Sequence, residues 1–166
     1  NNFNDIICKR ITDDLFVKYG KYTYDLNETF IVSKELLEKL PSKFGLSLFQ
    51  ERIKTEFEIR VVFLKDNFYS MSIHSINDEV DYRVNFDNPG KIRFNTYKLP
   101  KTIEDKKKKM FKNVELNFGS VDLIYSNNTF FFLELNKTGQ ISFLNEACNY
   151  NLEFEVAKIL KNEKRK

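Results

Sequence analysis

An α+β domain built from antiparallel hairpins and short helices is what this sequence predicts. Residues 57–65 alternate strictly, with Ile59, Val61 and Phe63 on one side and Glu58, Arg60 and Val62 on the other, as in a strand with two different faces. Two further extended stretches, 119–125 and 129–136, are joined by only Ser126, Asn127 and Asn128, which points to a second hairpin. Helical stretches, 102–113 and 149–161, are interleaved with these strands. Strands paired in hairpins argue against a parallel α/β wrap, in which each strand is followed by a crossover.

Taken in order, residues 6–9 form a short strand carrying Lys9. Residues 12–25 are polar and aromatic with Gly20 among them, which suits a hairpin or loop. Ser33 is placed to cap a short helix over 34–40, which Pro41 stops. Residues 48–53 are extended. After the strand at 57–65, Lys65, Asp66 and Asn67 turn the chain into a partner strand over 68–76. Residues 77–97 read as irregular, with Asn88, Pro89 and Gly90 as a turn signal. Thr102 is placed to cap the helix that runs to about Asn113, and the closing helix would bury Leu152, Val156, Ile159 and Leu160.

Composition narrows the classes of function. The 166 residues fit one domain, without repeats or a dividing linker, and a hydrophobic share of 42% allows a real core. Seventeen Phe and eight Tyr against five Gly point to sheets packed with aromatics. A net charge of +3 is too small to imply nucleic acid, and the four lysines at 106–109 cannot share one helix face, so they read as solvated surface. No apolar run approaches the ~20 residues that span a bilayer, so no membrane partner is expected. Cys8 and Cys148 make neither a disulfide framework nor a metal-binding pair and read as free thiols in a reducing cytoplasm. His74, the single histidine, reads as a packed or solvated strand residue. The chain does not open with Met and runs almost at once into a strand, so it is expected to be part of a longer protein.

The chemistry concentrates at the second hairpin. In a strand, Glu134 and Asn136 point to one side while Leu133 and Leu135 would face the core. With Asp122 on the partner strand they make a set of hard oxygen ligands, of the kind that Mg²⁺ takes together with nucleotide phosphates and water. The geometry carries a condition. A three-residue loop at 126–128 would bring Glu134 diagonal to Asp122, ~7 Å away, whereas a two-residue turn at 127–128 would put Asp122 on the face of Leu133. The metal reading therefore requires the odd loop. Without a metal, the same residues would be polar side chains on an exposed sheet face.

The second signal is Gln50-Glu51-Arg52-Ile53 followed by Glu58-Ile59-Arg60-Val61. Together with Asp122 and Phe132-Leu133-Glu134-Leu135-Asn136, in this order and spacing, it resembles the ATP-grasp superfamily. Gly139-Gln140, Cys148-Asn149-Tyr150, Asp81-Tyr82-Arg83 and Tyr97-Lys98-Leu99-Pro100 resemble the graspetide maturases, in particular the grasp-with-spasm and microviridin types. The resemblance covers nearly the whole chain, from Lys9 to about Leu160. It implies two α+β subdomains gripping ATP, with strands of the small one at about 6–53 and the hairpins and helices of the large one at about 54–162. The fold's N-terminal part would be missing, leaving the C-terminal portion.

By the same resemblance Lys9 reaches the nucleotide phosphates, Gln50, Glu51 and Ile53 form the adenine hinge, and Glu58 takes the ribose hydroxyls. Asp122, Glu134 and Asn136 match the Mg²⁺ (or Mn²⁺) ligands, and Arg60 and Arg83 match arginines facing the phosphates and the acyl-phosphate intermediate. Guanidinium groups suit that task because they grip phosphate oxygens bidentately and stay charged. Arg60 could instead pair with Glu58 on its own face. Lys137 stands where such families often have proline, and the segment after Lys9 holds only Gly20, so backbone cradling of phosphates has little support here. The implied function is an ATP- and Mg-dependent carboxylate-amine or ester-forming ligase, cytoplasmic and able to form a homodimer, that acts on a precursor peptide with a leader region. The isolated chain would be weakly active or inactive. Two alternatives stand beside it, another ATP-grasp ligase such as one adding glutamate to proteins, and a non-catalytic peptide-binding module of the same fold.

Overall fold

Alternating side chains give each sheet two faces, and the way those faces are covered decides where a cleft is left open. The computed structural model describes residues 5–11, 16–25, 29–43, 45–76, 79–86, 88 and 90–163. Strand β1 (Ile6–Arg10) comes first, and β2 (Phe16–Tyr19) and β3 (Tyr22–Asp25) then pair as a separate hairpin. Gly20 takes the left-handed φ of +60° that this turn requires. Strand β4 (Phe30–Ile31) leads to helix α1 (Lys34–Lys39), where Leu36 N donates to the capping Ser33 Oγ at 3.1 Å. Strand β5 (Ser47–Glu51) completes a small antiparallel sheet in the order β4-β1-β5. The hairpin reading of 12–25 thus holds over 16–25, while 12–15 lies outside the described residues.

The larger sheet starts with β6 (Phe57–Leu64) and β7 (Asn67–Ser75), joined by Lys65 and Asp66. A short 3-10 helix (Tyr82–Asn85) and strand β8 (Ile92–Tyr97) follow, within a stretch that reads as irregular in the sequence. The alternation of Ile92, Arg93, Phe94 and Asn95 is a genuine strand signal, but the turn residues just before it dominate the reading. That turn forms, with Lys91 N donating to Asn88 O at 2.9 Å, while Pro89 itself lies outside the described residues.

Helix α2 (Lys101–Asn113) is capped by Pro100, not Thr102, and its N-terminus has no side-chain cap. Strands β9 (Phe118–Ser126) and β10 (Thr129–Asn136) form the second hairpin, and the full sheet runs β10-β9-β6-β7-β8. Two short helices close the chain, α3 (Ser142–Cys148) and α4 (Leu152–Glu163). Asn149 and Asn151, with φ of +55° and +53°, break what the sequence suggests is one helix from Asn149. The seven residues of α3 are too few to show a clear period. In α4, Leu152 is buried and Val156 and Ile159 are half-buried, but Leu160 is 57% exposed. At about 100° per residue, Ile159 returns to within about 20° of Leu152, whereas Leu160 falls about 80° away.

Two cores lie on opposite faces of the large sheet. On one, Ile59, Val61, Phe63, Val121 and Leu123 pack with Leu99 and with Phe111 from α2. On the other, Val62, Met71, Ile73 and Ile92 pack with Leu144 and Leu152 from the closing helices. Tyr150, between those helices, ties them down by donating its hydroxyl to Ser70 O at 2.7 Å. The closing helices cover only part of their face, and Glu58, Arg60 and Asp122 occupy the part left open. His74 lies on the other face, stacked on Phe57 with ring centroids 5.0 Å apart. Among the described residues, no helix is long and apolar enough to cross a membrane.

Phe111 is the main anchor of α2, fully buried and stacked on Phe63 with centroids 4.1 Å apart. Phe111→Ala should lower stability by about 3–5 kcal/mol, the usual cost of removing a buried ring, read as a shift in urea midpoint. A change below about 1 kcal/mol would show that α2 is held by something else.

Candidate active site

The register of β10 decides the site. The β9–β10 turn contains only Asn127 and Asn128, both at left-handed φ (+47° and +58°), so the odd loop that the metal reading requires does not form. Pairing runs regularly from Thr129 opposite Ser126 to Phe132 opposite Leu123, and then shifts, so that Glu134 sits opposite Asp122 and Asn136 opposite Ser120. Leu133 is the extra residue of a β-bulge. The bulge supplies the one-residue offset expected from the loop and brings Glu134 directly opposite Asp122 instead of diagonal to it. Leu133 consequently lines the cleft and only Leu135 joins the core, a correction to the expectation that both face inward.

All ten residues named from the sequence line one cleft of about 750 Å³ between the two sheets. Lys9, Gln50, Glu51 and Ile53 come from β1 and the β5 segment, while Glu58, Arg60, Asp122, Glu134 and Asn136 come from the large sheet. Arg83 stands on the 3-10 helix. Across the sheet, Glu134, Asp122 and Arg60 form one row, and Arg60 is itself opposite Asp122.

Arg60 pairs with Asp122, not with Glu58. Its Nη1 donates to Asp122 Oδ2, and its Nη2 donates to Gln140 Oε1 at 3.2 Å. The two side chains are only 12% and 22% exposed, and Arg60 Nε is buried without a hydrogen-bond partner. Asn136 Nδ2 donates to Glu134 Oε1 at 2.8 Å and to Asp122 Oδ2 at 3.3 Å. Turning that amide over replaces the nitrogen with an oxygen, so Asn136 can serve two bare carboxylates or offer oxygen to a cation between them.

The two carboxyls are electrostatically distinct. Burial pushes Asp122 up to about 6, with Arg60 opposing the shift and Glu134 adding to it. Burial acts on Glu134 in the same direction but is outweighed by the Asn136 and Asp122 hydrogen bonds and by the charges of Lys9 and Arg60, so Glu134 is held below its usual range. A half-buried Asp122 beside an exposed Glu134, with one amide oxygen, fits a cation that takes further oxygens from phosphate and water. Among the described residues, no group of three or more His, Cys, Asp or Glu side chains forms a metal cage of its own.

Several contributors had no role in the sequence reading. Buried Asp81 grips Arg83 through both carboxylate oxygens, at 2.8 Å to Nε and 2.6 Å to Nη2, and also accepts from Thr29 N at 3.4 Å across the cleft. Burial, together with Glu58 and Asp122, pushes the Tyr82 hydroxyl up to about 12. Gln140 takes a left-handed φ of +41° directly after Gly139 at +79°, and a side chain at Gly139 would lie 2.5 Å from the Phe118 ring. The motifs Asp81-Tyr82-Arg83 and Gly139-Gln140 were visible in the sequence, but their partners are 52 and 80 residues away and only folding reveals them. Cys148 is no activated nucleophile, since burial raises its thiol above the ordinary range.

No family model matches the chain, and no curated protein matches it in sequence. Solved structures do. A RiPP-associated ATP-grasp ligase from Chryseobacterium gregarium, in complex with ADP and a leader and core peptide, matches with a TM-score of 0.74 at 21% identity, over 87% of this chain and 44% of that one. The macrocyclase MdnC from Microcystis aeruginosa, bound with precursor peptide MdnA, gives a TM-score of 0.75 at 27% identity, over 95% and 47%. The chain has the ATP-grasp fold. ATP-grasp ligase PsnB, complexed with a minimal precursor, matches with a TM-score of 0.66 at 16% identity, over 98% and 48%. The chain therefore spans about half the length of the ATP-grasp structures that it matches.

Glu58 gives the ATP-grasp cleft a pH signature. Burial, with Asp81 and Asp122 nearby, pushes it up to about 7 from an ordinary 4.5. The unfolded chain then releases this proton near pH 4.5 and the folded chain only near 7, so folded protein binds more protons in between. Stability from this group is fully present below about pH 4.5 and falls as pH rises to 7. Glu58→Gln should flatten the stability profile between pH 5 and 7.5 by about 2–3 kcal/mol in urea titrations. An unchanged slope would show that Glu58 does not carry the linkage.

Proposed function

We propose that this chain is the nucleotide-binding part of an ATP-dependent carboxylate ligase that forms side-chain amide or ester cross-links in a ribosomally made precursor peptide. The observation that carries the reading is the row Glu134, Asp122 and Arg60 on the cleft floor, with Asn136 hydrogen-bonded to both carboxylates and Lys9 acting on Glu134 from the facing sheet. The likeness to ATP-grasp ligases solved with ADP and with precursor peptides supports the choice of substrates.

Residues at about 6–53 act as the small subdomain and those at about 54–162 as the large one. Gln50, Glu51 and Ile53 hold the adenine, and Glu58 accepts hydrogen bonds from the ribose hydroxyls, a role that favours its ionised form. Lys9 supplies a positive charge for the phosphates. Asp122, Glu134 and Asn136 would hold Mg²⁺, which would supply positive charge to neutralise the phosphates. Arg60, now paired with Asp122, would be free to turn its fork to the γ-phosphate once Asp122 had a metal partner. The substrate carboxylate takes that phosphoryl group, giving ADP and an acyl phosphate. A peptide amine or hydroxyl attacks the acyl carbon and loses its proton, and phosphate leaves with the bonding electrons. Arg83, already oriented by Asp81, neutralises charge on the acyl phosphate. These residues work chiefly by positioning and charge stabilisation.

Calorimetric titration of Mg-ATP tests the reading, with melting temperature followed in parallel. The chain should bind in a Mg²⁺-dependent way, and a Glu134→Ala, Asn136→Ala double variant should bind at least about tenfold more weakly, a loss of about 1.4 kcal/mol or more. Equal binding by a folded double variant would rule out this metal site. If nucleotide binds as expected but the full-length protein cross-links no precursor peptide, the choice of substrate falls and another ligase of this fold takes its place.

A further inference from the structure

The cleft has a second half that nucleotide chemistry does not use. On the cleft face, β9 and β10 contribute Asp122, Glu134 and Asn136, and β6 contributes Glu58 and Arg60. Beyond β6 the same face turns apolar. Met71 lies opposite Arg60, Ile73 opposite Glu58, and Phe94 opposite Ile73. Above this apolar side stands a chain of edge-to-face rings. Tyr82 and Phe86 have centroids 5.6 Å apart, Phe86 and Phe143 6.0 Å, and Phe143 and Phe94 5.0 Å. Tyr82, Phe86 and Phe143 all line the cleft, yet Phe86 is still 49% exposed.

Strands lie about 4.8 Å apart and residues about 3.3 Å apart along them, so the step from Asp122 on β9 to Phe94 on β8, three strands across and two residues along, is about 16 Å. A phosphoryl group held at Arg60 has the carboxyls of Asp122 and Glu134 on one side and the ring chain on the other. With the Asp122 and Glu134 side of the cleft taken up by the phosphates and their cation in the proposed reading, an acceptor carboxylate approaches from the ring side, and the residue next to it in the peptide lies against the rings. We propose that Tyr82, Phe86 and Phe143 form a subsite for an apolar, preferably aromatic, side chain of the peptide, one or two residues from the carboxylate that is activated. A half-exposed Phe inside a charged cleft is costly to leave wet, and edge-to-face stacking on a peptide ring offsets that exposure. The proposal rests on the ligase reading for the origin of the peptide, but the discrimination it predicts can be measured without nucleotide.

The test uses two acetylated, amidated peptides that differ only in the residue before a central Glu, 4-fluoro-Phe in one and Ala in the other. Fluorine NMR follows the first directly, and competition measures the second. The aromatic peptide should bind about tenfold more tightly to wild type, and Phe86→Ala should abolish the difference. Should Phe86→Ala lower the melting temperature, Phe86→Leu, with partial discrimination, takes its place. Equal affinity of both peptides for wild type, or discrimination that survives Phe86→Ala unchanged in a folded protein, overturns the subsite. Mg-ADP titrated into wild type reads the nucleotide site separately. Its failure would count against the ligase reading, and failure of peptide discrimination alone would count only against the subsite.

Discussion

Because the β9–β10 turn has two residues, the bulge at Leu133 decides which side chains of β10 face the cleft. Side chains on a strand alternate, so a one-residue offset sends every later residue of that strand to the opposite face. The Asn127-Asn128 turn, left uncorrected, would put Leu133 opposite Asp122 and drive Glu134 toward the core on the α2 side. Leu133 absorbs the offset locally, and the strand changes phase between Phe132 and Glu134. Before the bulge, Phe130 packs against the core and Phe132 lies under the Lys107 ammonium at 4.7 Å. After it, Leu135 returns to the same core while Glu134 and Asn136 face the cleft. Burial of Leu135 therefore enforces the orientation of both oxygen donors, because neither can leave the cleft face unless Leu135 leaves the core.

The Arg60–Asp122 pair follows from that arrangement. Two carboxyls facing each other repel, and the half-buried Asp122 would be costly to keep ionised away from water. Arg60 offsets part of this cost, since its charge counters the burial that raises Asp122. The pairing is incomplete, because Arg60 Nε is buried without a partner and Asp122 stays above its ordinary range. Such a pair is a poor source of stability, as the desolvation penalty consumes most of the attraction. It suits an exchange of partners, where a cation and an anion entering together satisfy both groups at once. Gln140 steadies the guanidinium from the other side, held there by two consecutive left-handed residues and the tight contact of Gly139 on Phe118.

Much of this could be read from the sequence, for a physical reason. Strand alternation is local, so the two faces of β6 and the pairing of Glu134 with Asn136 follow from neighbouring residues. The ten site residues converge because two of the strands that carry them are hairpin partners and the remaining elements face them across one cleft. What escaped was non-local or short. Strand β8 was masked by the turn residues before it, and α3 is too brief to show a period. The bulge has no sequence mark, since Leu133 is as apolar as a core residue. Asp81 looked like the neighbour of a functional arginine, and only the fold shows it holding Arg83 and reaching the backbone of Thr29.

The division of one sheet face into three zones brings these points together. Toward the closing helices the face is sealed, with Val62 and Met71 under Leu144 and Leu152. Toward β9 and β10 it is acidic, and toward β7 and β8 it is aromatic. The sealed zone makes the other two rigid, because residues of β6 alternate between core and cleft without a break and a shift at Glu58 or Arg60 would disturb Val61 and Val62. Hydrophobic burial thus fixes the position of groups that contribute little to stability themselves. A half-buried carboxyl raised to about 7, a guanidinium with an idle buried nitrogen and a half-exposed Phe are each unfavourable in the folded chain alone. They share one cleft, where the surrounding core holds all three in place.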